Sequence, residues 1–146
     1  MEKRKGQCMC GAVRFSARVD PTKVHVCHCE QCRRWTGSAL FAISAAKDDV
    51  EIEDTDAVRS FRSSDWASRS VCGTCGSALW YRFDEGKDGA GDFEIAIGLL
   101  EDASGLALEQ EIFADQCPDF WAIRGDHGRL TRQETLALFG ADAAGT

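Results

Sequence analysis

The sequence predicts a mainly β, antiparallel sheet domain with a short C-terminal helix. Two observations predict it. Short segments rich in β-branched and aromatic residues recur along the chain, parted by polar or glycine-containing stretches. A single well-signalled helix stands near the end, with start and stop residues in the expected places.

The elements follow in order. "AVRFSARVD" (12–20) alternates Val13, Phe15, Ala17 and Val19 against Arg14, Ser16 and Arg18, the period-two pattern of a half-buried strand. A short helix is expected from Glu30 to Trp35. "SALFAIS" (38–44), "VEIED" (50–54), "AVRSFRS" (57–63), "ALWYRF" (78–83) and "DFEIAIGLL" (92–100) read as further strands. Between the last two, "DEGKDGAGD" (84–92) is a solvated hairpin loop, because its acids lack the ordered ligand spacing of a calcium loop. "LALEQEIF" (106–113) fits either a strand or a short helix. "TRQETLALFG" begins with Thr131 and places Glu134 three residues on, a capping box. Leu136 and Phe139 can share a face, and Gly140 is placed to end the helix, which is expected over about 131–139 and packed on the sheet.

The chain has 146 residues, which suits one domain spanning 1–146. With 44% hydrophobic and 28% charged residues it can bury a core. A formal net charge of −7 disfavours a polyanionic partner, so no nucleic acid is expected; Arg33 and Arg34 are a candidate local basic patch. No apolar run follows the charged start "MEKRKG", and no stretch is long enough to cross a bilayer. The expectation is a cytoplasmic protein with no membrane partner. Its oligomeric state is left open.

The chain holds eight cysteines, and seven fall in three clusters. Cys8 and Cys10 form C-x-C, Cys27, Cys29 and Cys32 form C-x-C-x-x-C, and Cys72 and Cys75 form C-x-x-C. In a reducing compartment, thiols so spaced converge on a metal ion more readily than they pair with one another. A closed structural zinc site needs four ligands. The economical partition joins Cys8, Cys10, Cys72 and Cys75, with Gly11, Gly73 and Gly76 beside them to turn backbone amides towards the sulfurs. That leaves Cys27, Cys29 and Cys32 as a three-ligand set. In an extended segment Cys27 and Cys29 point one way and His28 the other. Three protein ligands and a free position are the pattern of catalytic zinc. The spacing leaves a second reading open, in which Cys117, His25 or His28 closes the site.

"GQCMCGAVRF", "VHVCHCEQCRRWTGSALFA" and "VCGTCGSALWYRF" together resemble the glutathione-dependent formaldehyde-activating enzyme family, to which centromere protein V is related. "IAIGLLED" and "EIFADQCPDFWAI" extend the resemblance over about 6–123. It implies a zinc-bearing antiparallel β fold of the β-tent type. It implies a structural zinc on Cys8, Cys10, Cys72 and Cys75 and a more labile, catalytic zinc on Cys27, Cys29 and Cys32. It also implies a carbon–sulfur lyase acting on small molecules, a thiol such as glutathione and an aldehyde such as formaldehyde. Cys117 is a departure from the family pattern.

Two functions of different class are therefore expected to compete. One is the enzyme, with Arg33 or Arg34 meeting a substrate carboxylate and Trp35 and Phe41 walling a pocket. The other is a zinc-stabilised protein-binding module without chemistry. A third reading makes Cys27, Cys29 and Cys32 redox thiols.

Overall fold

The computed structural model describes residues 1–83 and 91–139. In chain order the elements are β1 (Glu2–Gln7), β2 (Arg14–Val19), β3 (Val24–Cys27), α1 (Glu30–Thr36), β4 (Leu40–Ala45), β5 (Val50–Ile52), β6 (Val58–Ser64), β7 (Ala67–Cys72), β8 (Ala78–Phe83), β9 (Phe93–Ala96), β10 (Leu108–Ile112), β11 (Gly128–Arg129) and α2 (Arg132–Phe139). The fold is mainly β, rich in antiparallel pairs, with a short helix at the end. Most of the loop expected at 84–92, and the expected helix stop at Gly140, lie outside the described residues.

The strands form two sheets. A three-stranded sheet runs β1-β2-β5, and an eight-stranded sheet runs β11-β10-β3-β4-β9-β8-β7-β6. The alternation in β2 sends Phe15, Ala17 and Val19 inward, all nearly inaccessible. They pack against Val24, Ile43, Phe93, Ile95 and Trp80 of the large sheet. Trp80 meets Phe15 and Phe93 edge-on, with ring centroids 5.6 and 5.5 Å away. Such pairs add about 0.5–1.5 kcal/mol each beyond area burial.

The ambiguous segment 106–113 supplies a strand, β10. It departs from an all-antiparallel sheet, since β10 pairs in parallel with both β3 and β11. β1, β3, β7 and β11 were not among the expected strands. β1 is charged along its length, and β7 carries an arginine that sequence pattern alone assigns to solvent.

Register decides what each face of the large sheet carries. Residues directly opposed on paired strands share a face. Ile43 opposes Val24 and Ile95, and Ile95 opposes Trp80; this row faces the small sheet. One residue along, Ser44 opposes Glu94, Glu94 opposes Tyr81, and Tyr81 opposes Arg69. That polar row lies on the other face, together with Cys27, His25 and Ala42. The outer face is therefore not simply solvated. It lines a cavity.

α2 closes one side of that face. Its capping box forms as expected: Glu134 N donates to Thr131 Oγ1 and Thr131 N donates to Glu134 Oε1, both at 3.2 Å. Thr135 is fully buried. Its hydroxyl donates to Thr131 O at 2.7 Å and accepts from Phe113 N at 3.1 Å, which ties the helix to the end of β10. Among the described residues no helix is long and apolar enough to cross a membrane.

Candidate metal centre and cavity

The fold brings the first and third cysteine clusters together. Cys8 and Cys10 lie between β1 and β2, and Cys72 and Cys75 lie at the turn from β7 to β8. Their four sulfurs all fall within 4.8 Å of one another. Cys10 Sγ is 3.6 Å from Cys8 Sγ and 3.8 Å from Cys72 Sγ. A tetrahedral zinc with Zn–S near 2.3 Å sets its sulfurs about 3.8 Å apart. The set therefore fits a single zinc-sized ion.

Backbone amides support these sulfurs. Val13 N donates to Cys8 Sγ at 3.3 Å, and Thr74 N and Cys75 N donate to Cys72 Sγ at 3.4 and 3.5 Å. The turns that aim them need a left-handed residue after each pair, and Gly11 (φ 81°) and Gly76 (φ 77°) provide it without a Cβ penalty. The Ser77 hydroxyl and amide, with smaller help from Cys10 and Cys72, pull Cys75 down to about 5.

The middle cluster also converges. Cys27 ends β3, Cys29 caps the start of α1, and Cys32 lies in its first turn. The three sulfurs fall within 4.8 Å of one another, and the group has no fourth histidine, cysteine or carboxylate among the described residues. Cys29 Sγ accepts from Cys32 N at 3.3 Å, so one thiol serves as both helix cap and potential ligand. Hydrogen bonds from Cys27 and Cys32, the Cys32 amide and the Arg69 charge together hold Cys29 down at about 3 despite burial. Hydrogen bonding to Cys29 and Cys32, together with burial, pushes Cys27 well up.

Cys117 does not join this set. It groups instead with His28 and Glu111. His28 points away from the cysteines flanking it, as the extended geometry predicts. Its Nε2–H donates to Glu111 Oε1 at 2.5 Å, and His127 donates to Oε2 at 2.5 Å. Arg129 Nε stands 3.3 Å from the same carboxylate. Burial works against the charge of Glu111, yet the hydrogen bonds from His127 and His28 hold its carboxyl below the ordinary value. The carboxylate is thus paired on both oxygens, and the network ties the segment after β3 to β10 and β11.

Cys27 and Cys32 open into a cavity of about 720 Å³. Its walls are mostly apolar, with Leu40, Ile112, Phe113, Phe83, Leu138 and Phe139. The polar row Ser44, Glu94, Tyr81 and Arg69 crosses it. Arg69 is 1% exposed, and its Nη1 donates to Cys32 Sγ at 3.4 Å. Trp35 and Tyr81 hold the guanidinium from two sides, 5.0 and 5.1 Å from their ring centres. Its Nε and Nη2 find no acceptor and no solvent among the described residues. The guanidinium thus sits in the cavity wall with Nη1 turned to the cysteines.

The arginines expected to meet substrate lie elsewhere. Arg34 pairs with Glu30 on the surface at 2.5 Å, and neither Arg33 nor Arg34 lines the cavity. Trp35 acts through Arg69, and Phe41 stands 37% exposed outside the cavity. Sequence reasoning missed Arg69, Tyr81 and Glu94. Their one sequence signal is period two: each falls opposite the apolar face of its strand.

The glutathione-dependent formaldehyde-activating enzyme family matches residues 3–116. The chain belongs to this family. A protein of Schizosaccharomyces pombe named as an uncharacterized lyase is 26% identical over 136 residues, covering 93% of this chain and 96% of that relative. A crystal structure of a Rhodobacter sphaeroides protein shares the fold, with a TM-score of 0.56 and 21% identity, over 71% of this chain and 98% of that one. In this family member, all three cysteine motifs carried by the resemblance sit in the two sulfur clusters.

Proposed function

We propose that this protein is a zinc-dependent carbon–sulfur lyase that joins a thiol to an aldehyde, or runs the reverse cleavage. Glutathione or a similar thiol and an aldehyde such as formaldehyde are the substrate classes. The observation that carries the reading is the three-sulfur set, Cys27, Cys29 and Cys32, which has no fourth ligand among the described residues and opens to the cavity through Cys27 and Cys32. Cys8, Cys10, Cys72 and Cys75 would hold a structural zinc, and the triad would hold the catalytic one. Zinc bound at the triad supplies a Lewis acid that favours the thiolate form of a substrate thiol near neutral pH.

The chain's own residues do the rest. In the addition, the thiol sulfur forms a bond to the carbonyl carbon, the C=O π pair moves to oxygen, and the proton lost by sulfur ends on that oxygen. No electron is gained or lost overall. Arg69 balances the negative charge gathered on the cysteine sulfurs, in a site where low dielectric magnifies that effect. Trp35 and Tyr81 fix the guanidinium in place. Leu40, Ile112 and Phe113 keep bulk water from the sulfurs, which preserves the adduct and strengthens the electrostatics.

The test is a panel of thiols and aldehydes offered to zinc-loaded protein, with adduct formation followed by NMR. Adduct formation faster than the uncatalysed rate supports the enzyme. No acceleration with any pair returns the protein-binding module.

A further inference from the structure

Among the described residues, Glu94 is the one carboxyl lining the cavity. It lies in β9 between Ser44 of β4 and Tyr81 of β8. The Ser44 hydroxyl donates to it, with its oxygen 2.8 Å from Oε1 and 2.9 Å from Oε2. A carboxylate offers about four acceptor positions. Here a single hydroxyl hydrogen is shared between the two oxygens, and no cation pairs with Glu94 among the described residues. A largely desolvated carboxylate so poorly served destabilises its own charge. Burial accordingly raises its carboxyl to about 7, against the pull of Ser44. Such a group gains most from a ligand that brings an N–H donor or a positive charge.

Position says which ligand. Glu94 and Arg69 are two strands apart in the same row. Strands stand about 4.8 Å apart, so their backbones are separated by about 10 Å. By register Glu94 opposes Ser44 whereas Cys27 opposes Leu40, four residues along β4, so the backbones of Glu94 and Cys27 stand roughly 17 Å apart and both residues line the same cavity. The span equals roughly five residue lengths of extended chain, less what the two side chains reach across. A two-carbon aminothiol cannot reach across it, whereas a peptidyl thiol can.

From this geometry we infer that Glu94, steadied by Ser44, binds the amino group of a peptide-sized thiol whose sulfur lies at the triad. It is a specificity-determining residue, and the assignment rests on the thiol–aldehyde reading above. An ammonium there replaces the missing donors and gives the carboxylate its counter-charge.

The experiment compares glutathione with N-acetylglutathione by calorimetric titration of the zinc-loaded protein, wild type and Glu94→Gln. The expected result is glutathione binding at least about tenfold tighter to wild type, the scale for pairing a desolvated charge. Glu94→Gln is expected to erase that preference and leave the N-acetyl form unchanged. Circular dichroism checks that the variant is folded, and the two-ligand comparison in wild type needs no variant at all. Equal affinity of wild type for both thiols overturns the inference, as does a preference that survives in Glu94→Gln. If both thiols bind equally, the enzyme reading stands and only Glu94's role falls. If neither binds, both fall.

Discussion

Arg69 Nη1 lies 3.4 Å from Cys32 Sγ, and the guanidinium it belongs to is almost wholly buried. A buried cation needs a counter-charge, and the cysteine sulfurs are the partners it has. Arg69→Gln is expected to weaken metal retention at the triad by about 10–100-fold, the range seen when partners of metal ligands are lost. The rate constant kcat/KM should fall by about 100-fold. Arg69→Lys should lie between, because an ammonium keeps the charge but not the planar stack on Trp35 and Tyr81. Competition with a chromogenic chelator reads the first effect; unchanged retention in Arg69→Gln would show that the arginine serves only packing.

The two cysteine sets should fail differently. Cys8, Cys10, Cys72 and Cys75 join the β1–β2 connection to the β7–β8 turn, so metal binding there contributes directly to folding. Cys75→Ser is expected to lower the melting temperature sharply. Cys32→Ser should leave the melting transition close to wild type while stopping turnover. Calorimetric melting curves of the two variants decide it, and equal destabilisation would make the triad structural as well.

Thr135 holds α2 over the cavity through its hydroxyl, which accepts from Phe113 N and donates to Thr131 O at the start of the helix. Thr135→Val keeps the shape but leaves the Phe113 amide without its acceptor. The expected cost is about 1–3 kcal/mol, read from chemical denaturation. A change within experimental scatter would mean that the amide finds another partner.

Glu94 ties stability to pH. Burial lifts its carboxyl from 4.5 to about 7, with Asp92 adding to the rise and the Ser44 hydroxyl opposing it. Tyr81 from β8, His25 from β3 and Arg69 from β7 line the same cavity, and α2 adds only Leu138 and Phe139. Between pH 4.5 and about 7 the folded chain keeps a proton that the unfolded chain has released. Folding stability therefore declines as pH rises through that window. Ligand-free Glu94→Gln should match wild type below it and exceed wild type by on the order of 2 kcal/mol above it. Denaturation curves taken across the window test this, and curves that stay parallel would contradict it.

Much of this fold is written locally. The alternation around Phe15 and Val19 marks β2 because one face is buried and the other wet. Thr131 and Glu134 mark α2 because capping is settled within one turn. The division of seven cysteines into four and three is the economical reading of the ligand count, and it needs the fold to show which clusters meet. What escaped depends on distant partners. The parallel pairing of β10 with β3 is fixed by a long connection and leaves no local trace. Arg69 and Glu94 occupy alternation positions that belong to solvent in an ordinary one-sided sheet. Here that second face is roofed by α1 and α2, so charged residues there are enclosed rather than exposed. Arg33 and Arg34 drew notice beside the cysteines, yet helical geometry turns Arg34 to the surface and keeps both arginines out of the cavity lining.

The central claim is that the triad is an open catalytic site and the four-cysteine set a closed structural one. Zinc content and thiol–aldehyde turnover, measured together on one preparation each of wild type and Cys32→Ser, test it most directly. The account predicts two zinc ions and accelerated adduct formation for wild type, against one tightly held zinc, a retained fold and no acceleration for the variant. A Cys32→Ser protein that still accelerates adduct formation would contradict it.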